Sequence, residues 1–114
     1  MTCEVMVVED DADAREVLIE VLQHEGYTVE GASNGAEAVK LLEKGVLPGI
    51  ILLDVMMPVM DGHEVMRRLR ADSAWSSIPV AIVSAVPNPP AGAAYYFRKP
   101  INLDELLAVI QKHR

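Results

Sequence analysis

Short apolar runs rich in β-branched residues alternate with helix-like stripes along nearly the whole chain. "EVMVV" (residues 4–8) precedes "AREVLIEVLQHEG" (14–26), where Val17, Leu18, Val21 and Leu22 share one helical face and Gly26 can stop the helix. "YTVEGA" precedes "AEAVKLLEKG", with Ala38, Leu41 and Leu42 on one stripe and Gly45 as the stop. "GIILLD" (49–54) is apolar without alternation, as in a strand covered on both faces. "HEVMRRLRA" is helical, "IPVAIVS" and "AYYFRK" are strand-like, and "LDELLAVIQKH" is helical again. Capping-box spacings sit at four helix starts: Asp13/Glu16, Asn34/Glu37, Asp61/Glu64 and Asn102/Glu105. Strands alternating with helices predict an α/β domain built on a parallel sheet with right-handed crossovers.

The chain of 114 residues has the length of one domain, residues 1–114, and 51% hydrophobic residues suffice for a core. A formal charge of −7 argues against nucleic acid and anionic membranes as partners. Arg67, Arg68 and Arg70, the one basic cluster, read as a solvated helix face. Cys3 stands alone, which suits a reducing compartment. "MTCEVMVVEDD" has no basic segment before its apolar run, and no run approaches the ~20 residues of a membrane span. A cytoplasmic location is expected.

In an open parallel sheet, ligands bind beyond the carboxyl ends of the strands. The strand-like runs here end in Glu9, Asp10 and Asp11, in Asp54, in Ser84 and in Lys99. Asp11 and Asp13 also suit helix starts. Asp54 lies between "IILL" and "VMMP", where a lone carboxylate is costly. Glu9, Asp10 and Asp54 would repel one another if all ionised, and a divalent cation removes that conflict. Carboxylate, carbonyl and water ligands select a hard ion such as Mg²⁺. A carboxylate beside Mg²⁺ and Lys99 is placed to attack phosphorus, with Ser84 as a hydroxyl donor to a phosphoryl oxygen.

These residues resemble the receiver domain of two-component response regulators. "VMVVEDD" resembles the family's acidic pair, "IILLDVMMPVMDG" its acceptor motif, "AIVSA" its hydroxyl-bearing strand end and "GAAYYFRKP" its aromatic and Lys-Pro ending. The resemblance implies a flavodoxin-like doubly wound sheet of five parallel strands in the order 2-1-3-4-5. It also implies residue roles. Asp54 is the phospho-acceptor, and Asp10, Asp54 and the Met56 backbone carbonyl bind Mg²⁺, with Glu9 in support. Ser84 and Lys99 report phosphorylation, Tyr96 is the aromatic switch, and Lys99–Pro100 is cis. The implied activity is Mg²⁺-dependent self-phosphorylation and slow self-dephosphorylation rather than classical enzymology. The implied partners are a sensor histidine kinase or phosphotransfer protein and a downstream protein or a second copy of the chain.

One departure stands out. Between Ser84 and Lys99 the family fits a helix and a strand, whereas this chain has "AVPNPPAGAAYYFR". Proline inside a helix costs ~3 kcal/mol. A Pro-rich loop, Val86–Ala91, is therefore expected in place of the helix, leaving Tyr95–Phe97 more exposed. Met56 and Val86, two residues beyond Asp54 and Ser84, are apolar and cannot orient a hydrolytic water, so a long-lived phosphoform is expected. The last helical run reaches the end of the given residues, so a receiver without an effector domain on this chain is expected. The competing reading is a pseudo-receiver that binds partners without phosphorylation. A haloacid-dehalogenase-type phosphatase would need an acid where Met56 stands, and a flavodoxin-type module would need a phosphate loop after the first strand.

Overall fold

The computed structural model describes residues 2–54, 62–85 and 91–113. In chain order the elements are β1 (Thr2–Val8), α1 (Ala12–His24), β2 (Val29–Ala32), α2 (Gly35–Glu43), β3 (Leu47–Asp54), α3 (Gly62–Ala71), β4 (Val80–Ser84), β5 (Tyr95–Arg98) and α4 (Leu103–Lys112). The strands form one sheet in the order β2-β1-β3-β4-β5. Every neighbouring pair is parallel. This is the doubly wound, flavodoxin-like arrangement expected from the sequence.

Strand alternation sends successive side chains to opposite faces, and both faces are covered. Met6, Val8, Ile51, Leu53, Val80 and Ile82 pack with Ala38 and Leu42 of α2 and Val65 and Leu69 of α3. Val5, Val7, Ile50 and Leu52 pack on the other side with Leu22 of α1 and Leu106 and Ile110 of α4. A strand buried on both sides has no reason to alternate polar with apolar, which explains "IILL" in β3. Val17, expected on the inner face of α1, is 61% exposed. The apolar arc of α1 is wider than the strip of sheet it covers, and Leu22 is the residue it buries completely.

The helix ends follow from local chemistry. Gly26 and Gly45 have φ of 92° and 98°, left-handed values that favour glycine. Each closes a Schellman turn. Gly26 N–H donates to Gln23 O and Tyr27 N–H to Leu22 O, while Gly45 N–H donates to Leu42 O and Val46 N–H to Leu41 O. Asn34 and Asn102 cap as expected, their Oδ1 atoms accepting from Glu37 N at 2.9 Å and Glu105 N at 3.2 Å. The cap of α1 is Asp11, which accepts from Ala14 N at 3.0 Å, and not Asp13. Asp13 lies in the first turn instead, where a negative charge meets the helix dipole. Asp61 lies outside the described residues.

Residues 85–94 join β4 to β5. Of these the structure describes 85 and 91–94, and none of those is helical. Pro87, Pro89 and Pro90 lie outside the described residues. Tyr95 and Phe97 are half-buried against the α1/α4 side of the core, so of the stretch expected to be more exposed it is Tyr96 that lies open. Tyr96 and Arg98 alternate to the other face and are exposed. The start of β5 is tied to α3 by Arg70. Its Nη2 donates to Gly92 O at 3.0 Å, and its Nη1 to Ser76 O at 2.6 Å and Ile78 O at 3.4 Å. Arg70 thus does more than solvate a helix face. Arg70→Met should lower stability by about 1–2 kcal/mol through the lost charge-assisted bonds. Amide exchange at Ala94, which donates to Val80 O, should rise with it. Urea titration and hydrogen exchange measure both; an unchanged midpoint with unchanged exchange would show that the arginine holds nothing.

Candidate functional site

The parallel register places the strand ends side by side. Val8 pairs with Leu53, Asp54 with Val83, and Ser84 with Arg98. The residues that follow β1 and β5, and those that end β3 and β4, therefore share one edge of the sheet. Asp54 and Ser84 are buried, at 7% and 6% exposure. One carboxylate oxygen from each of Glu9, Asp10 and Asp54 lies within 4.8 Å of the others. Lys99 Nζ donates to Asp54 Oδ2 at 3.2 Å and stands 3.6 Å from Glu9 Oε1. The Lys99–Pro100 bond is cis, as expected, and Lys99 N–H donates to Ser84 O at 3.0 Å.

The electrostatics follow from this crowding. Burial, and then the neighbouring Asp54 carboxylate, push the Glu9 carboxyl up from 4.5 to about 7, against the pull of Lys99. Burial works to lower the Lys99 ammonium, but Asp54 and Glu9 outweigh it and hold its pKa above the ordinary lysine value. Glu9 Oε2 is buried and has no hydrogen-bond partner among the described residues. A buried carboxylate oxygen of this kind beside two further carboxylates is a set of donors that suits a cation. All the donors are oxygen, so the cluster fits a hard divalent cation of the Mg²⁺ class.

The structure thus brings together Glu9, Asp10, Asp54 and Lys99, with Ser84 buried on the adjoining strand end. Tyr96 is on β5 but turned outward, 50% exposed. Met56 and Val86 lie outside the described residues. Arg15, which no sequence motif singled out, donates Nη1 to the Glu9 carbonyl at 2.8 Å.

Known proteins share this fold. The response regulator receiver domain family matches residues 5–111. The chain belongs to that family. Response regulator MprA of Mycobacterium ulcerans (strain Agy99) is 41% identical over 115 residues, covering 95% of this chain and 48% of the relative. The chain therefore spans about half the length of the curated relatives it matches. The signal receiver domain of a signal transduction histidine kinase from Syntrophus aciditrophicus superposes with a TM-score of 0.88 at 30% identity, covering 97% of this chain and 89% of that one. Response regulator protein TrrA of Thermotoga maritima, solved in complex with Mg²⁺-BeF, superposes with a TM-score of 0.84 at 31% identity, covering 97% and 98%. Among the described residues no helix is long and apolar enough to cross a membrane.

Proposed function

We propose that this receiver accepts a phosphoryl group on Asp54 from a phosphohistidine of a sensor kinase or phosphotransfer protein, or from a small acyl phosphate. The observation that carries the reading is a buried Asp54 carboxylate 3.2 Å from an ammonium and grouped with two more carboxylates. An Asp54 oxygen attacks phosphorus, the bond from phosphorus to the donor nitrogen or oxygen breaks, and the donor keeps that electron pair. Lys99 stands where negative charge gathers on the transferred oxygens, and Ser84 is the hydroxyl nearest in the sheet register. Glu9 and Asp10, with Asp54 and the Met56 carbonyl, would hold Mg²⁺, which supplies further charge neutralisation at the phosphoryl group. The TrrA complex with Mg²⁺-BeF supports this assignment.

The donor has an approach. A groove beside the site is lined by Val17, Leu18 and Val21 of α1 and by Ile101 and Leu103 after β5, and it opens onto Asp54. A downstream protein, or a second copy of the chain, would read the face carrying Tyr96. The expectation of no nucleic-acid partner applies to these 114 residues and not to a longer relative. Intact-mass measurement after acetyl phosphate treatment tests the function: labelling in Mg²⁺ and none in EDTA is expected. Labelling that ignores EDTA removes the metal from the reading, and a chain that never labels is the pseudo-receiver. Lifetime gives a second check. Met56→Asn should speed loss of the phosphoryl group by giving the hydrolytic water a polar partner; equal decay of the two proteins would dismiss Met56 as the control.

A further inference from the structure

The backbone that presents Glu9 and Asp10 is held from both sides. Glu9 N–H donates to Ala32 O at the end of β2 (3.0 Å), and Glu9 C=O accepts from Arg15 Nη1 (2.8 Å). Arg15 reaches that carbonyl from the second turn of α1, and its backbone N–H donates to Asp11 O. The side chain lies across Gly31 of β2. A Cβ added there would stand 3.5 Å from Arg15 Cδ and 2.8 Å from Ile19 Cδ1, a distance that forces Ile19 to move. At 3.5 Å Arg15 would be in ordinary contact with such a Cβ, so the missing side chain at Gly31 makes room for Ile19.

We propose that Arg15 is a positioning residue for the acidic site, acting through the Glu9 carbonyl. The inference rests on the reading of the site as a magnesium and phosphoryl site. With the Glu9 peptide anchored, the turn from Glu9 to Asp11 has one conformation, and two carboxylates stay directed at Asp54. Without the anchor a cation must order that turn as it binds, and affinity falls by the cost of doing so.

The sign of the effect separates positioning from simple charge. A guanidinium near an acidic cluster repels Mg²⁺, so an arginine acting only by charge would, on removal, tighten metal binding. A positioning arginine, on removal, weakens it. Calorimetric titration of the chain with MgCl₂ should show Arg15→Met binding on the order of 10-fold more weakly than wild type. Arg15→Lys, which keeps a donor, should recover part of the loss. In metal-free protein, amide exchange at Glu9 should rise in Arg15→Met while that of β3 stays unchanged, which separates loosening of the turn from loss of the fold. Mg²⁺ bound as tightly or more tightly by Arg15→Met would overturn the inference, as would unaltered Glu9 exchange. A wild-type chain that took up no Mg²⁺ would instead overturn the magnesium reading, and the metal-free exchange alone would then decide the role of Arg15.

Discussion

Asp54→Asn should abolish covalent phosphoryl labelling by acetyl phosphate, leaving only background in an intact-mass measurement. The amide has almost the shape of the carboxylate, but its oxygen carries no full negative charge and is a poor nucleophile toward phosphorus. The substitution also removes the carboxylate that crowds Glu9 and pairs with Lys99. The fold should therefore survive, and a thermal melt of the metal-free protein should not collapse with the activity. Lys99→Met gives the contrast. It leaves the acceptor in place, so label should still form on Asp54 but more slowly, because the developing charge loses its ammonium. Asp54→Asn labelled at the wild-type level would move the acceptor elsewhere, for which Asp10 would be the first position to map.

The parts of this arrangement that the sequence announced share a physical cause. "IILL" is legible because a strand covered on both faces must be apolar at every position, and β3 is such a strand. Gly26, Gly45, Asn34 and Asn102 are legible because each satisfies backbone groups only a few residues away. Asp54 and Lys99 are legible as strand-end polar residues, and the parallel register then forces them to one edge. The misreadings also have causes. Asp11 and Asp13 both suit a helix start, and only the backbone shows which one is extended. Val17 obeys helical periodicity, but periodicity does not say how wide a strip the sheet covers. Tyr95 and Phe97 follow the alternation of β5 into the α1/α4 core, whatever the connection before them is made of. Arg15 and Arg70 were not legible as functional or structural anchors, because both donate to backbone carbonyls, which leave no trace in a side-chain motif.

Without divalent metal, the stability of the chain should fall as pH rises from about 4.5 to about 7, and Mg²⁺ should reverse that trend. Glu9 ionises near its ordinary 4.5 in the unfolded chain and near about 7 in the fold. Across that window the folded state holds a proton that the unfolded state has released, so raising pH favours unfolding. The contribution is complete below 4.5 and lost above about 7. Glu64 runs the other way, held down to about 2 by Arg67 and then Arg68, so its contribution is lost only as pH falls below the window. The Lys99 shift acts above the ordinary lysine range, outside the window on the other side. On the proposed site Mg²⁺ would draw on the ionised Glu9, so binding should release a proton and grow stronger up to about pH 7. At a hundred times its Kd the ion adds about 2.7 kcal/mol, or about 10 °C in melting temperature for a domain of this size. Thermal melts from pH 4.5 to 8, with EDTA and with MgCl₂, measure both slopes. Glu9→Gln should flatten the metal-free slope and blunt the response to Mg²⁺. If the metal-free slope persisted in Glu9→Gln, another group would carry it, and the Glu9 carboxylate would not be the point at which protons and metal compete.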